Sequence, residues 1–204
     1  MKNKAWLWGL GLAAVLVIGA AGIWVLTQSY TFHGSVIDPA MRAPDFTLTA
    51  HTGKPFRLAD QAGEIVVLFF GYTSCPDVCP TTLATFKRTK TLLARETGRV
   101  QFIFITVDPE RDTVDRVRNW VTAFDSSFIG LTGTEAELTP VWKAYGVYRE
   151  KMPAESGSTG YSMDHSTAVY VIDARGNLRL TFSYGETAEA MAQDIGYLLN
   201  EKTP

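Results

Sequence analysis

The sequence predicts an α/β domain preceded by an N-terminal transmembrane helix. Two short runs rich in β-branched and aromatic residues, 65–70 (IVVLFF) and 100–107 (VQFIFITV), are typical of buried strands. A segment with helical periodicity separates them, so the two strands are expected to be parallel and joined by a right-handed crossover. Residues 5–26 carry no charge, and as a helix they would extend about 33 Å, enough to cross a bilayer.

The bulk composition fits one globular domain plus one apolar segment. Of 204 residues, 46% are apolar and 20% are charged, and the net charge is −2. These values exclude an intrinsically disordered chain, which is poorer in apolar residues. Lysine and arginine form no basic patch along the sequence, so a nucleic-acid partner is not expected.

The charges around the apolar segment predict its orientation. Lys2 and Lys4 precede it and no acidic residue does, which by the positive-inside rule places the N-terminus in the cytoplasm. We therefore expect a single-pass protein of a bacterial inner membrane, with its soluble domain in the periplasm. A cleaved signal peptide is the alternative, although its apolar region is usually only about 7–15 residues long.

The chain is accordingly expected to divide into a membrane anchor at 1–29, a polar linker at 30–43 and a folded domain at 44–204. The domain should open with a strand pair, 44–49 and 56–58, around a turn that contains glycine and proline.

The first buried strand is followed by a predicted helix. This helix is expected to run from Pro80, at its first position N1, to about Glu96, with Gly98 just beyond its end. Pro80 at N1 would put Cys79 near the N-cap.

Turn residues and apolar periodicity predict the elements that follow the second buried strand. In chain order they are a helix at 113–124, a strand at 128–131, a helix from Thr134 to Tyr145 ended by Gly146, a flexible loop at 151–160, a hairpin at 167–172 and 178–182, and a closing helix at 186–201. A strand pair, a βαβ unit, a hairpin and a final helix form an α/β sandwich. With two cysteines at the first strand-to-helix turn, this order is similar to the thioredoxin-like fold.

The two cysteines of the chain, Cys75 and Cys79, are its main candidates for chemistry. They lie on the turn between the strand at 65–70 and the following helix, and a helix N-terminus stabilises thiolates. Close, ionised sulfurs serve either in thiol-disulfide exchange or in binding a soft metal. An inert disulfide, or two buried thiols, is the structural alternative.

A soft metal would need a further ligand besides the two sulfurs. His165 is the candidate, because it lies where a loop enters the strand at 167–172, but its position alone also suits a structural histidine. His33 and His51 are expected to be solvated, and Met163 is a thioether candidate more typical of a core residue. Structural zinc would need a fourth ligand, whereas two sulfurs and one imidazole suit Cu(I), or Cu(II) with another ligand or water.

Two aspartates, Asp108 and Asp112, follow the second buried strand and are expected at the same sheet edge as the cysteines. One interpretation gives them a supporting role around the site. The other assigns them ordinary turn and helix N-cap chemistry, which their neighbours Pro109 and Thr113 suit equally well.

Four segments of the chain resemble the SCO/SenC copper proteins, which help to assemble the copper-A centre of cytochrome c oxidase. They are 71–80 (GYTSCPDVCP), 106–113 (TVDPERDT), 130–134 (GLTGT) and 164–166 (DHS), and they occur in the order and spacing of that family. The resemblance covers roughly residues 40–200. It implies a thioredoxin-like fold behind an N-terminal anchor, with Cys75, Cys79 and His165 as copper ligands.

The same resemblance implies two functions that use these residues. The first is a metallochaperone that delivers copper to the copper-A site of cytochrome c oxidase subunit II. The second is a thiol-disulfide oxidoreductase that reduces the cysteines of that site with Cys75 and Cys79. Other copper chaperones or a thioredoxin-like reductant are further expected partners. A peroxide-reducing enzyme fits less well, because no isolated reactive cysteine with an activating arginine is evident.

The orientation of the apolar segment gives a direct prediction. Because Lys2 and Lys4 favour a cytoplasmic N-terminus, protease added to spheroplasts should digest the domain that follows residue 30. Immunoblotting against the domain measures this, with a cytoplasmic protein as the control for intact membranes. Protection of the domain until the membrane is lysed would contradict the orientation.

Overall fold

The structure, a computed structural model, describes residues 30–153 and 160–201, together with Leu16 and Gly19. Apart from those two residues, the predicted transmembrane helix at 5–26 lies outside the described part. No helix among the described residues combines the length and hydropathy needed to cross a membrane. Within the described part, the residues from His33 onward form one compact unit.

The described part of this unit contains ten strands and four α-helices. The strands are β1 (Ser35–Arg42), β2 (Thr47–Ala50), β3 (Pro55–Arg57), β4 (Ile65–Gly71), β5 (Val100–Thr106), β6 (Ile129–Thr132), β7 (Arg149–Pro153), β8 (Tyr161–His165), β9 (Val169–Ile172) and β10 (Asn177–Phe182). The helices are α1 (Val78–Leu93), α2 (Val114–Phe124), α3 (Glu135–Ala144) and α4 (Ala188–Asn200). Eight strands form one sheet in the order β1-β10-β9-β4-β5-β6-β2-β3, while β7 and β8 form a separate pair.

The centre of the large sheet is β4, whose seven residues are all buried. It pairs in parallel with β5, from Ile65 opposite Val100 to Gly71 opposite Thr106, and antiparallel with β9 on its other side. A continuous apolar run is what a strand covered on both faces requires. The predicted parallel pairing of the two apolar runs is confirmed.

The parallel register brings two loops to one sheet edge. Because Gly71 and Thr106 are opposite each other, β4 and β5 end together, and the Val107 N–H donates to the Gly71 carbonyl at 2.7 Å. The cysteine turn leaves from β4 and the loop with Asp108 and Asp112 leaves from β5. The expectation that these groups share an edge is therefore correct.

One strand lies in the segment predicted as a polar linker. Residues Ser35–Arg42 form β1, which pairs antiparallel with β10 at the margin of the sheet. Nearly all its side chains are exposed, including Val36 and Met41. Its sequence does not alternate between apolar and polar residues as that of a half-buried strand does. Backbone pairing rather than side-chain burial makes this segment a strand.

Helix α1 begins two residues earlier than the sequence predicts. Its first residue is Val78, so Cys79 lies at N2 and Pro80 at N3 instead of N1. Proline is tolerated there because the first N–H groups of a helix have no intrahelical acceptor. The helix ends at Leu93 rather than near Glu96, and a 3-10 segment follows it.

The prediction of a loop at 151–160 is wrong for its first three residues. Residues 151–153 belong to β7, which pairs antiparallel with β8, and Arg149 lies opposite His165. The residues at 154–159 lie outside the described part. This hairpin, β7 with β8, carries the candidate histidine to the sheet edge where the cysteines lie.

Candidate metal centre

Cys75, Cys79 and His165 come together in the structure. One potential ligand atom from each lies within 4.8 Å of the other two, and all three residues are buried. The Cys79 Sγ and the His165 Nε2 are 3.7 Å apart. A trigonal metal with bonds of about 2.3 Å to sulfur and about 2.0 Å to nitrogen would separate those atoms by about 3.7 Å. The group therefore fits a metal with only small adjustment.

The cysteine turn holds the two sulfurs close to each other. The Cys75 N–H donates to the Tyr72 carbonyl at 3.2 Å, and the Cys79 N–H points to the Cys75 Sγ at 3.4 Å. The N–H of Cys79 has no intrahelical acceptor because it belongs to the first turn of α1. Its contact with the Cys75 sulfur favours the thiolate form of Cys75. Cys79 is fully buried and Cys75 lies on the solvent side, with 8% of its surface exposed.

Gly71 makes room for the inner sulfur. A Cβ atom at this position would lie 2.7 Å from the Cys79 Sγ and 2.9 Å from the Phe69 ring. No real Cβ tolerates such contacts, so any other residue would displace Cys79 or the end of β4. Nothing in the sequence alone signals this constraint, because it depends on how α1 packs on β4.

His165 is held in one tautomer and aimed at the sulfurs. Its Nδ1 lies 2.8 Å from the Ser166 carbonyl, which can only accept, so Nδ1 carries the proton and Nε2 keeps its lone pair. The rings of Tyr72 and Phe69 pack edge-on against the imidazole, with centroids 5.6 Å and 6.3 Å away. A carbonyl behind a ligating imidazole is the usual way to orient it toward a metal.

A partly buried ion pair fixes the strand that carries His165. The Arg111 Nε donates to Asp108 at 2.5 Å, and the Arg111 Nη1 donates to the Tyr161 carbonyl at 2.8 Å. The Tyr161 hydroxyl donates to the same Asp108 at 2.6 Å, and its ring lies 3.8 Å beneath the guanidinium. Asp108 and Arg111 thus tie the first residue of β8 to the loop after β5.

Asp112 supports the cysteine turn instead of capping α2. Its carboxylate accepts from the Thr73 N–H at 3.0 Å, from the Thr73 hydroxyl at 2.6 Å and from the Thr106 hydroxyl at 2.7 Å. Thr113 is the N-cap, because its side chain accepts from the Arg116 N–H. Burial raises the pKa of Asp112, and these donors oppose that rise. Of the two interpretations of this residue, the supporting role is correct.

The two cysteines differ sharply in acidity. A hydrogen bond from the Cys79 thiol lowers the pKa of Cys75 from 9.0 to about 4; backbone N–H groups lower it further, and burial opposes the change. The reciprocal bond to Cys75, together with burial, raises the pKa of Cys79. At neutral pH the metal-free reduced pair is therefore one thiolate and one thiol, with the negative charge on the more exposed sulfur.

The other two histidines make structural contacts outside this group. His33 approaches Asp194, with its Nδ1 2.9 Å from a carboxylate oxygen, and its backbone N–H donates to the same carboxylate. The His51 Nδ1 accepts from the Gly130 N–H at 3.0 Å. Neither is simply solvated as expected, and among the described residues neither joins a group of potential metal ligands.

Known proteins share both the sequence and the fold. A family model described as SCO1/SenC matches residues 36–200. The mitochondrial SCO2 homolog of Bos taurus is 32% identical over 193 residues, covering 90% of this chain and 72% of that protein.

Two solved structures extend the comparison to three dimensions. Copper-bound ScoI from Bradyrhizobium japonicum is 37% identical, with a TM-score of 0.70, covering 78% of this chain and 99% of that one. Apo Sco1 from Thermus thermophilus is 36% identical, with a TM-score of 0.74, covering 83% of this chain and 98% of that one. The predicted thioredoxin-like α/β fold of the domain is the fold of these proteins.

The acidity of Cys75 predicts how the reduced, metal-free protein reacts with an alkylating agent. Because the folded pKa of Cys75 is about 4, its thiolate persists as the pH falls and is lost only below that value. Iodoacetamide should therefore label Cys75 at about pH 6, where an ordinary thiol is almost fully protonated, and should leave Cys79 unlabelled. Mass spectrometry of tryptic peptides, with the urea-unfolded protein as control, measures this. A labelling midpoint near pH 9 for Cys75 would contradict the assigned acidity.

Proposed function

Because the chain belongs to the SCO1/SenC family, we propose that it binds copper with Cys75, Cys79 and His165 and delivers it to cytochrome c oxidase. The observation that carries this proposal is the convergence of two sulfurs and one imidazole nitrogen within 4.8 Å. The family resemblance adds the destination, the copper-A site of subunit II. A similar protein, the Bradyrhizobium ScoI, has been solved with copper bound.

The donor set suits copper as cargo rather than as a permanent structural metal. Two thiolate sulfurs and one imidazole match the soft Cu(I) ion, and metal binding requires the Cys79 thiol to release its proton. A surface pocket borders the site, lined by Tyr72, Cys75, Pro76, Met163, Asp164 and His165. An acceptor cysteine entering this pocket would meet Cys75 first, since Cys79 is fully buried behind it. Ligand exchange would then begin at Cys75.

The proposal includes a place for the protein in the cell. The uncharged segment at 5–26 behind Lys2 and Lys4 supports a single-pass anchor in a bacterial inner membrane, with the copper site in the periplasm. Such an anchor would confine the domain to the membrane surface, where the proposed acceptor, a membrane-bound oxidase, also lies.

A second function, thiol-disulfide exchange, is favoured by the unequal acidity of the two cysteines. The Cys75 thiolate would attack a disulfide in the acceptor's copper-A site and release one acceptor cysteine as a thiolate. Cys79, after losing its proton, would attack the resulting mixed disulfide and release the second cysteine. Two electrons pass to the acceptor and a Cys75–Cys79 disulfide forms. A thioredoxin-like reductant would then have to restore the dithiol.

His165 separates the two functions. An imidazole ligand is needed to hold copper but is not needed to form or break the Cys75–Cys79 disulfide. We expect His165→Ala to lower Cu(I) affinity by about 100-fold or more, ~2.7 kcal/mol, while its disulfide still forms and is reduced. Competition with a chromophoric Cu(I) chelator measures affinity, and thiol titration measures the disulfide. His51→Ala, which removes a histidine outside the site, is the matched control.

The same variant discriminates between the functions in cells. If delivery is the main activity, a His165→Ala strain should fail to assemble copper-A as completely as a Cys75→Ser strain. Immunoblotting must show normal levels of folded protein, because a destabilised domain would imitate a loss of delivery. If a folded His165→Ala protein that holds no copper still supports full copper-A assembly, copper delivery is rejected as the main function. Thiol-disulfide exchange then remains.

A further inference from the structure

We propose that Met163 is a fourth ligand to the copper ion, through its thioether sulfur. The inference rests on the proposed function, and it adds a residue to the three that the sequence pattern supplies. Met163 lies on β8, two residues before His165. Three observations on this strand carry the proposal: which face Met163 occupies, how deeply it is buried, and which pocket it lines.

Met163 shares a strand face with His165. Successive side chains of a strand point to opposite faces. In β8, Met163 and His165 are buried, whereas Ser162 and Asp164 are exposed. Tyr161 begins the same inner face and is fixed by Asp108 and Arg111. The Cα atoms of Met163 and His165 are about 6.7 Å apart by the rise of a strand, so both side chains can serve one site.

Met163 is buried although its strand lies outside the eight-stranded sheet. Only 5% of its surface is exposed, yet β8 belongs to the separate two-stranded pair and not to the eight-stranded sheet. The residue lines the same pocket as Cys75 and His165. The Met163 N–H donates to the side-chain oxygen of Tyr72, which lies three residues before Cys75. Met163 is therefore held beside the cysteine turn.

A thioether suits the charge and the task of this site. Two thiolates with Cu(I) already carry one net negative charge in a largely buried position, and a neutral sulfur adds a soft ligand without adding charge. Methionine has three rotatable bonds, so its sulfur can reach a metal or withdraw without moving the strand. A weak fourth ligand of this kind would help to keep copper on the protein. It would dissociate when an acceptor cysteine binds the copper.

Selenomethionine provides a direct test in the intact sequence. All methionines of the copper-loaded, reduced protein are replaced by selenomethionine, and X-ray absorption is recorded at the selenium and copper edges. We expect a copper–selenium contact in the wild-type protein and in Met152→Leu, and no such contact in Met163→Leu. Met152 is the matched control because it lies on the other strand of the hairpin, with 42% of its surface exposed.

Cu(I) affinity is the second readout. Leucine has nearly the volume of methionine, so Met163→Leu should fold, and it should bind Cu(I) about tenfold more weakly while Met152→Leu binds normally. If Met163→Leu fails to fold, the wild-type selenium spectrum decides by itself. Bound copper without a selenium neighbour in the wild-type protein overturns the role of Met163 and leaves the proposed function intact. Failure of the reduced wild-type protein to bind copper overturns both.

Discussion

The parallel pairing of β4 with β5 is the constraint on which the rest of the site depends. It makes the two strands end at the same level, so that the cysteine turn and the loop with Asp108 and Asp112 emerge side by side. Asp112 then reaches across to hold Thr73 in the turn, and Asp108 holds the hairpin that carries His165. A shift of one residue in this register would reverse the faces of β5 and separate these contacts.

The two buried carboxylates around the site, those of Asp108 and Asp112, accept hydrogen bonds from nearby side chains. The Asp108 carboxylate is paired with Arg111. The Asp112 carboxylate accepts three hydrogen bonds, two from Thr73 and one from Thr106. Removing Arg111 would leave the buried Asp108 carboxylate without its cation, at a cost of up to about 3–5 kcal/mol. The Cys75 thiolate accepts hydrogen bonds from the Cys79 thiol and from backbone N–H groups. A bound cation would replace the proton that the two sulfurs otherwise share.

Much of the fold follows from local sequence, and the exceptions have physical causes. The apolar runs predict β4 and β5, and Thr113, Thr134 and Gly146 mark helix ends as expected. Three observed strands are not predicted: β1, β7 and β8. The side chains of β1 and β7 are mostly exposed and only backbone pairing defines them, while β8 is a short strand whose partner is β7. The start of α1 was wrong by two residues because proline is acceptable anywhere in the first turn.

The residues of the site differ in how far the sequence alone predicts their roles. Spacing on a strand-to-helix turn singled out the two cysteines, whereas His165 needed the family resemblance, since its position alone also suited a structural histidine. The roles of Gly71, Arg111 and Asp112 depend on contacts between distant segments, which no local pattern encodes.

Copper loading as a function of the thiol redox state tests the central claim most directly. The purified protein, fully reduced in one sample and disulfide-bonded in the other, is exposed to excess Cu(I) without oxygen, desalted and analysed for metal. A disulfide removes both sulfurs as ligands, so the account predicts one copper per reduced chain and little or none per oxidised chain. Equal copper in the two samples would contradict it.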